Sequence, residues 1–426
     1  MKMARMVHNK GDLMNFGFVS TRFSGTDGVS LESRKWAEVL GRDGHRSFWF
    51  CGLCDHPAAS SFVVPEAYFQ HPVIDRINRA IWHCETFPEG VAAKIARCQG
   101  HLHAALDTFC DRFGIDLLIL QNAVTIPMNL PLGLAVTDFI EGSGIAAIAH
   151  HHDFHWERDR FAGGAVQPFL RRAFPPVLPG IVHAVINSPA AREVKARFGI
   201  NPAIVPNAMD FDRPLPGARL SPDAARASLG LAPGDRLILQ PTRVVPRKGI
   251  EHAIELVHRL GESRNKLLIS HEAGDEGLDY RNELAGLALE KGVDLRFVSD
   301  RVTGVDDRDN GLFSLEDLYL LADFVTFPSL YEGFGNALLE AIYFRKPVLV
   351  NRYSVFKEDI EPCGFRLVTM DGEITDELVG EVRHILENPE SFKASAAANL
   401  EIAGKHFGYP MLEEQLREMV HAALRG

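Results

Sequence analysis

The sequence predicts two doubly wound α/β domains in series, and three observations carry that reading. Short apolar runs alternate with longer amphipathic segments from Asn15 onward. The alternation breaks off in a proline-rich stretch and resumes at Arg236. The length, 426 residues, is two to three times a typical domain of roughly 150. Alternation of this kind puts parallel strands in the middle and crossover helices on the faces. A composition of 46% apolar and 24% charged residues is that of an ordinary globular protein, and so long a chain buries ample core without staples.

Phe16 to Ser20 reads as the opening strand and Thr21 to Gly28 as the loop after it. A helix from about Ser30 to Leu40 leads to a second strand, Arg46 to Phe50. Three more apolar runs, Asp116 to Leu120, Gly144 to His150 and His183 to Asn187, fit buried strands. Between Cys51 and Asp111 the prolines at 57, 65, 72 and 88 interrupt every pattern except a helix near Ala92 to Phe109. Asn201 to Pro216, with Pro202, Pro206, Pro214 and Pro216, reads as a linker. The second half places strands at Leu237 to Gln240, Lys266 to Ser270, Asp294 to Val298, Asp323 to Phe327 and Pro347 to Val350. Met411 to Leu424 has helical apolar spacing and no strand after it. The expected division is an N-terminal domain over residues 1–205, a C-terminal domain over 206–403, and a last helix over 404–426 returning to the first. Two such domains set their carboxyl strand ends around a shared cleft, which suits a substrate pair.

Lys and Arg number 45 against 56 Asp and Glu, a net charge of −11, which argues against general affinity for nucleic acid. Six cysteines in so long a chain are no disulfide framework. Cys51 and Cys54 form a CxxC without the second pair a zinc site needs, and read as packing thiols. Met1 to Phe16 carries charges and Gly11 where a signal peptide needs an apolar run. Leu117 to Thr137 is uncharged and long enough to span a bilayer, but Gln121, Asn122, Pro127, Asn129 and Pro131 are costly in lipid. It reads as a buried strand and loop, and the expected compartment is the reducing cytoplasm. Neither an internal repeat nor a low-complexity tract is present.

The strongest motif is Phe327-Pro-Ser-Leu-Tyr-Glu332-Gly-Phe-Gly-Asn-Ala-Leu-Leu-Glu340. An apolar strand ends at Phe327, a loop holds Glu332, and a helix begins near Asn336. The backbone N–H groups of Gly333, Phe334, Gly335 and Asn336 lie at that helix start, a place suited to an anion. Glycine lets a phosphate approach the main chain closely. Glutamates at both ends of an anion site make sense where each accepts hydroxyls, as from a sugar and a ribose; the same pattern also fits a capped helix with surface glutamates. The second motif, Pro241-Thr-Arg243-Val-Val-Pro-Arg247-Lys248-Gly249, follows the first strand of the second half. Arg243 as a fork and Lys248 as a point charge can face one diphosphate, although a solvated basic loop has the same composition.

Glu332-x7-Glu340, with Arg243 and Lys248 upstream, resembles the retaining glycosyltransferases of family four, two-domain enzymes of the GT-B fold with Rossmann-like halves. The resemblance spans most of the chain. Gly25-Thr-Asp-Gly28-Val-Ser stands where that family has a glycine-rich loop facing donor phosphates and acceptor. Asn187-Ser-Pro-Ala-Ala-Arg-Glu-Val, Phe198-Gly-Ile and Val205-Pro-Asn207-Ala-Met-Asp210 resemble its passage between domains. The resemblance implies that Glu332 contacts the donor sugar, Glu340 takes the ribose hydroxyls, Gly333 to Asn336 hold phosphate or sugar, and Arg243 and Lys248 neutralise the departing diphosphate. It also implies a sugar-contacting histidine at the end of an N-domain strand. His150, His151 and His152 are the candidates, and His152, before Asp153, is favoured. The implied donor is a UDP-, GDP- or ADP-hexose; the acceptor is a hydroxyl of a small molecule, a saccharide or a lipid-linked saccharide. No cofactor or metal is obligatory. Departures are Ala208, where glycine often follows Pro-Asn, and Ser270-His-Glu-Ala-Gly-Asp-Glu-Gly, which replaces a shorter turn and leaves base and ribose contacts unassigned.

His150, His151, His152, Asp153, His155 and Glu157 could be read as metal ligands. Consecutive residues of a strand alternate faces, however, so these cannot all converge on one ion. Asp306-Asp307 and Asp210-x-Asp212 read as turn residues. Two rivals remain: a phosphorylase on the same scaffold, disfavoured by the ribose-type Glu340, and a non-catalytic nucleotide or sugar binder, disfavoured by the joint presence of Arg243, Lys248 and Glu332. Base, hexose, acceptor and oligomeric state are not legible.

Overall fold

A computed structural model describes residues 13–25, 27–217, 221–272, 278–303 and 313–425. The expectations placed on residues 1–12, Thr26, 273–277 and Asp306-Asp307 fall outside it. The chain divides into two compact units, one drawn from Met1–Ala208 and Met411–Gly426, the other from Met209–Pro410.

In the first unit, β1 (Asn15–Val19) leads through a loop into α1 (Gly28–Arg42), then β2 (Arg46–Cys51) and β3 (Ser61–Val63). Helices α2 (Pro72–Ile81) and α3 (Val91–Phe113) precede β4 (Leu117–Gln121), α4 (Leu130–Ser143) and β5 (Ala146–His151). The unit continues through α5 (Gln167–Ala173), β6 (Ile181–Val185), α6 (Ser188–Phe198) and β7 (Ala203–Ile204). Its seven-stranded sheet has the order β3-β2-β1-β4-β5-β6-β7, and every pairing is parallel. Leu118, Leu120, Ala147 and Ala149 on one face pack against Leu102, Leu106 and Phe109 of α3 and Leu132, Val136 and Phe139 of α4.

The second unit holds α7 (Pro222–Ser228), β8 (Arg236–Gln240), α8 (Ile250–Leu260), β9 (Asn265–Ile269), α9 (Leu278–Glu290) and β10 (Asp294–Phe297). The short β11 (Val302–Thr303) and β12 (Phe313–Ser314) form a two-stranded sheet. Then come α10 (Leu315–Leu321), β13 (Phe324–Phe327), α11 (Asn336–Tyr343), β14 (Val348–Asn351), β15 (Val368–Met370), α12 (Asp376–Glu387) and α13 (Lys393–Phe407). The main sheet is six-stranded, β10-β9-β8-β13-β14-β15. Ile238, Leu267, Ile269, Phe324 and Leu349 pack there against Ile254 and Val257 of α8 and Val382 and Ile385 of α12. The last helix, α14 (Tyr409–Arg425), belongs from Met411 onward to the first unit. There Gln415 Nε2 donates to Ile204 O at 2.9 Å, and Leu412 and Leu416 are buried.

Proline accounts for the main corrections. Leu117 to Thr137 is a strand and loop only in part, because α4 begins inside it at Leu130. Pro131 lies in the first turn of that helix, where no N–H is needed, and Asn129 caps it by accepting from Leu132 N at 3.0 Å. Pro72 likewise opens α2 where the sequence offered no helix. Within Asn201 to Pro216, Ala203–Ile204 adds an edge strand beside β6. No helix among the described residues is long and apolar enough to cross a membrane.

Candidate active site

In both main sheets the strand order reverses at one point, between β1 and β4 in the first and between β8 and β13 in the second. Open α/β sheets bind ligands in the crevice outside the carboxyl ends of the strands at such a reversal. The loops after these strands carry nearly all the motif residues singled out above.

After β8, the basic loop closes in a helical turn over Pro246–Lys248. That turn buries Lys248, and its Nζ donates to Glu332 Oε1. Arg247, a residue given no role from sequence, donates from Nη1 to Glu332 Oε2 at 3.0 Å and to Tyr331 O at 3.2 Å. Leu330 N donates to Arg247 O at 2.9 Å, so main chain as well as side chains joins the two loops. Burial alone would raise the Glu332 carboxyl, but Lys248 and Arg247 outweigh it and hold the group below its ordinary range. Burial lowers the Lys248 ammonium; Arg247 and Arg243 push the same way, against Glu332. Arg243 itself is exposed. Its charge and that of Lys248 add to burial in pushing His271 down to about 4, so the three lie within electrostatic reach of one another and His271 is neutral near pH 7.

After β13, the loop runs into α11. Gly335 is the N-cap, with φ of +132° and no side-chain cap. A Cβ there would lie 2.5 Å from Tyr353 Oη, and that hydroxyl donates to Phe334 O. The positive end of α11 therefore has no side chain of its own in front of it. Glu340 sits one turn into the helix and accepts from Tyr319 Oη at 2.8 Å. Burial and the Glu340 charge push the Tyr319 phenol far up, which keeps it a donor.

In the first unit, Gly25 follows β1 with φ of +80°, and its N–H donates to Asp55 Oδ2 at 2.9 Å. Gly28 opens α1, whose first N–H groups, from Val29 and Ser30, go to Asp27 Oδ1 at 3.2 Å each. Carboxylates of the chain thus accept from three amide groups at that glycine loop, those of Gly25, Val29 and Ser30. His152 lies just past β5 and is part-buried; its Nε2 bonds Gln121 Oε1 at 3.0 Å. His150 faces the same side, stacked on Trp36 at 4.3 Å between centroids. His151 points away, bonding His183 Nδ1 at 2.9 Å and Thr125 Oγ1. The alternation of a strand thus splits the three histidines as the sequence required. Among the described residues no three His, Cys, Asp or Glu side chains gather in a way that could hold a metal ion.

Burial lowers all three histidines and brings His183 down to about 4. Between that value and the unfolded value near 6.5, the unfolded chain binds the extra proton and the folded chain does not. Stability is therefore full above pH 6.5 and falls as pH drops toward 4, levelling off below. For His183 alone the loss is about 3 kcal/mol. Urea titrations at pH 7 and pH 4.5 check this; equal midpoints would contradict it, and His183→Asn should flatten the difference.

Residues 222–406 match the family model described as "Glycosyl transferases group 1". The mannosylglucosylglycerate synthase of Thermotoga maritima is 32% identical over 99% of this chain and 100% of its own length. The chain belongs to the group 1 glycosyltransferases. The enzyme of the same name from Petrotoga mobilis is 30% identical over 84% of this chain and 86% of its own length. Among solved structures, Anabaena HepE in complex with UDP and glucose superposes with a TM-score of 0.63 at 15% identity, covering 96% of this chain and 100% of HepE. At that identity the likeness speaks to the fold, which is GT-B. The resemblance to family four drawn from Glu332-x7-Glu340 is borne out, and this glycosyltransferase is an enzyme of that family.

Sequence reasoning missed Arg247, Tyr319, Tyr353 and Gln121. Only Arg247 left a signal, as a second cation beside Lys248.

Proposed function

We propose that this glycosyltransferase moves a hexose, with retention and without an obligatory metal, from a nucleotide-sugar to an acceptor hydroxyl. The observation that carries the reading is the buried Glu332–Lys248 pair beside the start of α11, where the N-cap is the glycine Gly335. Two cations, Arg247 and Lys248, meet one carboxylate there, and the charge of Arg243 acts on Lys248 from nearby, leaving net positive charge for a diphosphate. The anomeric carbon–phosphate bond breaks through an oxocarbenium-like state, and charge gathers on the departing diphosphate. Lys248, Arg243 and the helix start act most strongly at that point. The acceptor attacks from the face the diphosphate leaves, and a diphosphate oxygen takes the acceptor proton.

Glu332 and His152 hold hydroxyls of the transferred sugar, and the backbone of Gly333, Phe334, Gly335 and Asn336 holds sugar or phosphate. Glu340, to which Tyr319 donates, takes ribose hydroxyls. Gly25 and Gly28 belong to the loop that faces the donor phosphates. Residues 1–205 with the last helix, α14, serve the acceptor, and residues 206–403 serve the donor, in the cytoplasm.

The name of the two relatives suggests the sugar and acceptor: an activated mannose delivered to a glucosylglycerate. Thermal unfolding with UDP, GDP, ADP and dTDP, with EDTA or with magnesium, tests the donor site. A ligand held only by the folded state at about 100 times its Kd adds roughly 2.7 kcal/mol. One nucleotide is expected to stand out without magnesium, and its mannose derivative with glucosylglycerate should yield a product heavier by one hexose. A response to inorganic phosphate alone would move the reading to a phosphorylase. Glu340→Ala should chiefly raise the donor KM, because its contacts exist before and during reaction; a loss confined to kcat would contradict the ribose role.

A further inference from the structure

The carboxyl end of β4 carries two amide side chains to which none of the roles above is assigned. Gln121 pairs in register with His150 of β5, so their side chains lie on the same face of the sheet, as does that of His152 two residues on. Gln121 is fully buried. Its Oε1 meets His150 Nδ1 at 3.1 Å and His152 Nε2 at 3.0 Å. An amide oxygen only accepts, so both ring nitrogens carry the proton. This fixes the His152 tautomer and leaves its Nδ1 as the acceptor. The amide nitrogen of Gln121 has no partner among the described residues. A buried donor left in that state is a cost that an apolar side chain of the same size would avoid.

Asn122 holds the main chain at the same place. Its φ is +56°, a left-handed conformation that residues with a Cβ seldom adopt. Its Oδ1 accepts from His152 N at 2.9 Å, and its Nδ2 donates to Asp153 Oδ1 at 2.8 Å. Its own N–H donates to His150 O at 3.1 Å. The last residue of β4 and the residue after it thus brace the ring and the backbone of a single histidine.

We propose that Gln121 and Asn122 are positioning residues for His152: Gln121 sets the ring and its tautomer, Asn122 sets the main chain, and together they aim Nδ1 at a hydroxyl of the transferred sugar. The inference rests on the sugar-facing role of His152.

The test compares Gln121→Leu, Gln121→Glu, His152→Ala and the double variant Gln121→Leu/His152→Ala. Donor kcat/KM is measured per folded molecule across pH. Gln121→Leu should lose about 10-fold to 100-fold, the scale seen when a group that orients a metal-ligating histidine is removed. The double variant should be no worse than His152→Ala. Gln121→Glu keeps an acceptor and should recover most of the loss. Its negative charge should also move the acid limb of the profile to higher pH. The other groups that act electrostatically on His152 are Asp27, Glu32 and Lys35 at α1, and His150, His151 and Asp153 beside it; they are the same in every variant. Additive losses in the double variant, or wild-type kcat/KM in Gln121→Leu beside an impaired His152→Ala, would overturn the positioning role alone. Wild-type kinetics in His152→Ala would overturn the sugar-facing role beneath it. If Gln121→Leu does not fold, Gln121→Glu decides: an unmoved acid limb sinks the proposal.

Discussion

Lys248→Ala lowers kcat by about 10²-fold or more, the scale of removing a preorganised charge that acts in the transition state, and it also destabilises the protein. The two effects have one cause. Lys248 is buried against Glu332, so truncation strips a partner from a buried carboxylate. Losing one partner of such a pair costs about 3–5 kcal/mol, of which Arg247, still bonded to Glu332 Oε2 at 3.0 Å, recovers a part. Arg243→Ala separates the terms. That side chain is exposed, so its removal should shift stability by no more than about 0.5 kcal/mol while lowering kcat on the same scale. Saturating-donor rates and urea midpoints for both variants give the comparison. A wild-type rate in either variant removes that residue from the mechanism.

Gly335→Ala has the second large effect. With φ at +132° and Tyr353 Oη only 2.5 Å from where a Cβ would stand, alanine meets both backbone strain and a clash. Strain of this kind costs about 1–3 kcal/mol, paid at the entrance to α11 beside Glu332. Donor kcat/KM should fall by about 10-fold or more, the equivalent of about 1.4 kcal/mol. Gly335→Ala/Tyr353→Phe removes the hydroxyl and separates the causes. Partial recovery means the clash dominates; none means the main chain does. Wild-type donor kinetics in Gly335→Ala would show that this helix start takes no part.

What could be read from sequence followed from period and position. The strands flanking the reversal point of the second sheet are short apolar runs whose loops bear Arg243, Lys248 and Glu332, and His152 follows another such run, β5, so local pattern suffices to find them. The pairings were not legible. Glu332 meets Lys248 and Arg247 across more than eighty positions, and Tyr319 reaches Glu340 from another helix. Nothing in the local spacing of those residues states such a meeting. Pro72 and Pro131 misled for a different reason: proline ends a helix from inside but begins one equally well, and sequence alone does not say which end it marks.

The placement of α14 bears on how the protein is made. The first unit is interrupted: its chain leaves at Ala208 and comes back at Met411, with the whole contiguous second unit between. On a ribosome, the earliest-made sheet must therefore wait about two hundred residues for the helix that carries Leu412, Leu416, Met419 and Ala423 into its core. At roughly 5–20 residues per second, that wait is tens of seconds. The first unit to emerge is the last to close, so a chaperone that binds nascent chains would find its target there, and any stalled or clipped product would carry that unfinished surface as its mark.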